Sequence, residues 1–351
     1  MDTSPTHAQR IAGGLLGTAV GDALGLPAEG LCPQKISARW PGPWRYRLIA
    51  GRGMISDDTE HTAMVAQSLL VGPQNVHVFQ SALAWKLRWW MTGLPAGVGL
   101  ATARAIFKLW LGFPPKHSGI ASAGNGPAMR SAVIGVFFAA DAARRRQFVE
   151  ASTQLTHTDP RALIGALAVA EMCAWACSTQ EASPILLLKN LSALPEWQKL
   201  ISEMETASGE NLSVQAFAAR LGLAQGVTGY VFHTVPVALY AWWRHRGDFR
   251  GALEAALNCG GDTDTVGAIT AALAGADMGV NGIPADLISG IAEWPRSTQW
   301  LTQLAEKLGR QAKSHEPLGA LPLFWPALPV RNLWLLGIVL THGFGRLIPR
   351  F

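Results

Sequence analysis

Two short stretches of the chain carry carboxylates in pairs: "SDDTE" at 56–60, where Asp57 and Asp58 are adjacent, and "GGDTDTV" at 260–266, where Asp262 and Asp264 lie two apart. Hydroxyls stand among them, Ser56 and Thr59 in the first, Thr263 and Thr265 in the second, and each stretch runs into an apolar segment of helical texture. Asp57 followed three residues later by Glu60 has the form of a capped helix start, and a lone DxD says little.

Taken together, the pairs ask for more. If both acidic helix openings point into one site, carboxylates about 5 Å apart repel by roughly 3 kcal/mol per pair at an effective dielectric near 20. Helix dipoles return only about 0.3–1 kcal/mol each. Neither stretch contains Lys or Arg, so a divalent cation is the simplest counter-charge. Aspartates with Ser and Thr hydroxyls are hard oxygen donors, which favour Mg²⁺ or Mn²⁺ over zinc. Neither spacing puts a pair on one regular helix face. Both pairs therefore belong to a loop and first turn, an arrangement suited to two ions.

The elements that must position these groups read as helices. Apolar residues make up 49% of the 351 and charged residues 15%, enough for a large core and unlike a disordered chain. Val266, Ile269, Leu273 and Ala276 form one helical stripe, and similar texture recurs in 61–71, 128–143, 161–177 and 231–243. Strictly alternating strands are hard to find, so the expected fold is all-α, a multi-helix bundle. Gly17, Gly21 and Gly25 recur every four residues, a sign of close helix packing. Residues 316–330 hold four prolines and read as a linker against the body, before a short terminal helix with Asn332 as its cap. The division expected is a main domain over 8–310 and a Pro-rich linker with C-terminal helix over 311–351.

Composition removes several function classes. The formal charge is +5, but the 29 basic residues are spread along the chain, and the run Arg144-Arg145-Arg146 reads as a solvated helix end. Nucleic acid is not expected as a primary partner. Four cysteines without paired CxxC motifs, at 32, 173, 177 and 259, read as reduced core thiols. No apolar run approaches the roughly 20 residues of a membrane span, and the start lacks a secretory pattern. A cytoplasmic location is expected.

With these motifs in hand the chain resembles the ADP-ribosylglycohydrolase family, through "GGLLGTAVGDALGLPAE" (13–29), "SDDTE" (56–60), "GNGPAMR" (124–130), "LTHTDPRA" (155–162), "GYVFHTV" (229–235) and "GGDTDTVGAITAALAGA" (260–276). Each motif alone is weak; their order is specific, and they span residues 11 to about 280. The resemblance implies an orthogonal all-α bundle around a binuclear Mg²⁺ or Mn²⁺ centre held by Ser56, Asp57, Asp58, Asp262, Asp264 and Thr265. It implies hydrolysis of the glycosidic bond between ADP-ribose and an acceptor side chain, with Asp57, Asp58 and Asp264 catalytic beside Glu29, the acid at the site entrance. Asp22 would support the metal ligands. Asn125 and Gly126 would lie along the ribose and diphosphate, with backbone N–H groups facing an anion. His157 would line the cleft and Tyr230 stack on the adenine; a structural role for each stays open. The tail beyond about residue 310 lies outside the matching motifs.

The partner implied is an ADP-ribosylated protein, mono-ADP-ribosyl-arginine foremost. A second reading is an ADP-ribose-binding immunity protein that counters an ADP-ribosyltransferase toxin by stoichiometric binding. A di-metal phosphohydrolase would share the carboxylates but leaves "GNGPAMR" unexplained.

Overall fold

Side chains hold helices apart, so two helices approach most closely where glycines face each other, and the centre of this fold is built that way. The computed structural model describes residues 4–178, 183–314 and 316–347. Helix α1 (His7–Gly25) is followed by α2 (Pro33–Arg39), α3 (Asp57–Val71), α4 (Val76–Thr92) and α5 (Leu100–Trp110). Two short helices, α6 (Gly126–Met129) and α7 (Ala132–Phe137), lead to α8 (Ala142–Gln154), α9 (Pro160–Ala176) and α10 (Pro184–Asn190). Then come α11 (Pro195–Gly209), α12 (Val214–Arg220), α13 (Val231–Arg244), α14 (Phe249–Leu257), α15 (Thr263–Met278) and α16 (Ala285–Ser289). The series closes with α17 (Thr298–Ser314) and α18 (Ala327–Leu347). Among the described residues there is no strand, only isolated bridges, so the all-α expectation holds.

Helices α1 and α15 lie against each other along their length. A Cβ placed on Gly13, Gly17, Gly21 or Gly25 would collide with the backbone of Gly275, Ala271, Gly267 or Thr263. The four-residue glycine spacing thus does what the sequence suggested. The expected amphipathic stripe on α15 is too narrow a description, because every residue from Thr263 to Ala276 is buried. Helix α1 also corrects an expectation. With its following turn, His7–Ala28 is long and apolar enough to cross a membrane by length and composition, yet 94% of its apolar 18-residue stretch is buried among the other helices.

Other local readings change for identifiable reasons. The segment 128–143 breaks into α6 and α7, because Arg130 turns inward at the junction and is fully buried. The arginine run lies at the start of α8, capped by Asp141, and it is not uniformly solvated. Arg145 is buried and pairs with Glu171 at 2.6 Å. The Asp57/Glu60 capping box does not form: Ser56 is the N-cap of α3 without a side-chain cap bond. Glu60 instead accepts from Trp90 Nε1 at 2.6 Å and pairs with Arg296 at 2.6 Å.

The C-terminal strap is stitched to the body. Gln67 holds both backbone groups of Leu321, and Gln311 reaches the N–H of Leu318. Helix α18 begins at Ala327, so Asn332 is inside it and is not its cap. Its amide donates instead to the carbonyl of Gly93, just past α4, at 2.7 Å.

Candidate active site

The first turn of α3 is organised from a distance. Asp22, fully buried on α1, accepts from the Ser56 N–H at 2.9 Å and from the Thr59 N–H at 3.1 Å. It thereby satisfies the helix start that Ser56 leaves uncapped, and it frees Asp57 and Asp58 from capping. Burial lifts the Asp22 carboxyl to about 6, against the pull of the hydrogen bonds from Thr59 and Ser56.

The start of α15 is set by two left-handed glycines, Gly260 (φ 68°) and Gly261 (φ 81°), which side chains would not tolerate here. Gly261 exchanges backbone bonds with the Gly30–Leu31 segment, each at 2.8 Å. The next residue, Asp262, donates its N–H to Val227 at 2.9 Å. Its carboxylate accepts from Asn125 Nδ2 at 2.6 Å, tying the "GNG" loop to the second acidic pair.

The two motifs meet. Thr265 Oγ1 donates to Asp58 Oδ2 at 3.3 Å, and Ser56 Oγ reaches the same oxygen at 3.4 Å. The other Asp58 oxygen, Oδ1, is buried without a hydrogen-bond partner. Asp57, Asp58 and Asp264 are all pushed well above the ordinary carboxylate range, first by burial and then by one another and neighbouring acids. For Asp264 the first of those neighbours is Glu29. Among the described residues no three His, Cys, Asp or Glu side chains gather into a ready cage. The donors converge as a mixed set of carboxylates and hydroxyls.

Above them opens a cleft of about 530 Å³. Glu29, Asp57, Asn125, Gly126, His157, Asp262, Asp264 and Thr265 line it, whereas Ser56 and Asp58 lie buried beneath its floor. Tyr230 stands outside the lining; its hydroxyl bonds to Glu196 at 2.5 Å and Arg161 lies over its ring at 5.8 Å. The expected anion contact at Asn125 is corrected as well, because its backbone N–H is taken by the carbonyl of Gly229 at 3.0 Å.

Sequence reasoning missed what orients His157. Arg130, the last residue of "GNGPAMR", donates to Thr156 Oγ1 at 2.7 Å, and that hydroxyl meets His157 Nδ1 at 2.9 Å. Burial, helped by the Arg130 charge, drives His157 down to about 3, so the imidazole is neutral at physiological pH and turns Nε2 toward the 124–126 loop. An arginine ending an otherwise uncharged motif was the available signal. The wall formed by Gly97, Gly99 and Thr102 had none.

Fold and cleft define a class: an all-α protein whose helix starts gather acids and hydroxyls at the floor of a polar cleft. The chain belongs to the ADP-ribosylglycohydrolase family, whose model matches residues 3–317, and it is therefore an enzyme of glycohydrolase type. It is 31% identical to an uncharacterized protein of Archaeoglobus fulgidus, over 84% of this chain and 94% of that one. It is 27% identical to the ADP-ribosyl-dinitrogen reductase glycohydrolase of Rhodospirillum rubrum, over 89% of this chain and 95% of that one. Identity is also 27% to an ADP-ribosylarginine hydrolase of Pseudomonas putida, over 89% of this chain and 81% of that one. A solved structure titled "ADP-ribosylglycohydrolase-related protein complex" superposes with a TM-score of 0.61 at 28% identity, covering 87% of this chain and 99% of that one.

Proposed function

We propose that the protein removes ADP-ribose from modified proteins, mono-ADP-ribosyl-arginine foremost, by hydrolysing the glycosidic bond at the distal ribose. The arginine linkage rests on the relative of that name. The observation that carries the reading is the meeting of the two acidic helix starts through Asp58 and Thr265 at the floor of one cleft.

Two divalent cations, Mg²⁺ or Mn²⁺, fit this donor set. Asp58 Oδ1 is a buried oxygen with no partner, and its carboxyl is raised first by burial and then by the neighbouring aspartates, both of which a bound cation would offset. Ser56, Asp57, Asp58, Asp262, Asp264 and Thr265 would hold them. Bound in such a site, the ions bind sugar hydroxyls and acidify water.

The remaining work falls to the chain. Asp22 fixes the first turn of α3, and Asn125 fixes the rotamer of Asp262 through its amide. Glu29, exposed at the cleft mouth, gates entry and takes the proton from the attacking water oxygen. His157, neutral, turns Nε2 toward the 124–126 loop, where it would meet the substrate by hydrogen bonding and not by charge. The C–N bond to the guanidinium breaks with its electron pair going to nitrogen, water supplies the new C–O bond, the proton taken up by Glu29 passes to the departing guanidine nitrogen, and free ADP-ribose leaves beside an intact arginine.

The test is release of ADP-ribose by the full chain from arginine-linked, serine-linked and poly(ADP-ribose) substrates, in Mg²⁺, in Mn²⁺ and in EDTA. Release from the arginine linkage that depends on added cation is expected. Equal release in EDTA, or none from any substrate, overturns the reading.

A further inference from the structure

The molecule carries an aromatic face that the reaction does not use. Residues 61–140, which include α4 and α5, contain six Lys or Arg and no Asp or Glu, and 317–351 likewise contain no acid. Helices α4 and α5, the strap and the start of α18 meet on one side of the protein. Trp89 of α4 contacts Trp110 of α5 at 6.0 Å and Trp325 of the strap at 5.8 Å. Asn332 and Leu328 of α18 lie against Gly93 at the end of α4.

Helix α18 turns an apolar face to solvent as well as burying leucines against the body. Leu328, Arg331, Asn332 and Leu335 turn inward and are buried. Val330, Leu333, Trp334, Leu336 and Leu340 turn outward, with Trp334 63% exposed and Leu333 54%. A water-facing helix normally carries charge on its outer side; the described outward positions of this one carry none. Beside it Trp85 and Trp89 are half exposed, and Arg88 lies over the Trp85 ring at 4.7 Å. Between α3, α4 and the strap runs an apolar groove of about 410 Å³, into which Lys86 projects. Burial in that apolar setting lowers the Lys86 ammonium below its ordinary range.

We infer that this face docks on an anionic lipid bilayer surface. Tryptophans and leucines with interspersed Lys and Arg, and without acids, are the chemistry of the membrane interface: rings settle at headgroup level and cations meet lipid phosphates. A second copy of the chain fits poorly, because two such faces would set cation against cation with no carboxylate between. The segment that completes the face, α18, lies beyond residue 317, where the family match ends. Because α5 begins at Leu100 on the cleft wall, docking would hold the cleft beside the bilayer and its resident proteins.

Flotation of the full chain with vesicles tests this. The chain should partition onto phosphatidylglycerol/phosphatidylcholine vesicles, far less onto phosphatidylcholine alone, and binding should fall as salt screens the headgroup charge. Trp89→Ser with Trp334→Ser should weaken partitioning by about tenfold or more, since each ring buries a large apolar area. The same variant should keep its melting temperature and its rate on a soluble substrate. Absence of vesicle binding overturns the inference, as does binding unchanged in the variant. So does an oligomer of the wild type that the variant disperses, or binding to polyglutamate in place of vesicles, which would make the face a protein interface.

Discussion

Asp58 shows at a single residue how the site is held in tension. One of its oxygens takes hydrogen bonds from Ser56 and Thr265 while the other is buried and unpartnered, a state that costs free energy in any folded chain. The four aspartates were legible because each pair is local and stands among hydroxyls. Their supports were not, since Asp22 reaches Ser56 across 34 residues and Asn125 reaches Asp262 across 137. His157 gives a prediction at this scale. Its pKa is about 3 in the folded protein, depressed by burial, against about 6.5 when unfolded. Between those values the unfolded chain binds a proton that the folded chain refuses, so this contribution to stability is present above pH 6.5 and is lost as pH falls. In denaturant titrations from pH 7 to pH 4, the advantage of wild type over His157→Asn should shrink with a limiting slope of about 1.4 kcal/mol per pH unit. Parallel curves would mean that His157 protonates freely in the folded state.

Between elements, the contact of α1 with α15 decides where the acids can be, because α15 begins at the second pair and α1 carries Asp22. A Cβ on Gly21 would meet the backbone of Gly267, which cannot yield as a side chain can. Gly21→Ala should cost about 3 kcal/mol or more by denaturant unfolding. The same change at Gly337, on the open side of α18 with nothing within 4 Å, should instead stabilise, by up to about 1 kcal/mol, from helix propensity. Equal effects at the two positions would contradict the packing described. The glycine spacing was readable on α1 alone; that Gly267 and Gly275 answer it on α15 is a long-range match. The capping box at Glu60 misled because its arginine partner, Arg296, lies 236 residues away.

Across the whole molecule, the C-terminal segment closes onto the same core that supports the site. Arg331 of α18 pairs with Glu293 at 2.6 Å and lies 3.5 Å from Glu60 on α3. The prolines of 316–330 read as a linker, yet Pro329 sits in the first turn of α18, where its missing N–H does no harm. The sequence pattern pointed to helices and to acids, but the joining of distant segments at one cleft depends on packing that no local stretch encodes. That joining is the central claim, and thermal melting of the full chain tests it most directly. A ligand that binds only the folded state stabilises by about 2.7 kcal/mol at a hundredfold excess over its Kd. Mg²⁺ or Mn²⁺ should raise the melting temperature, ADP-ribose should raise it further only when the cation is present, and Asp57→Ala with Asp262→Ala should remove the cation-dependent shift. Full stabilisation by ADP-ribose in EDTA, or a cation-dependent shift that survives in the double variant, would contradict the account.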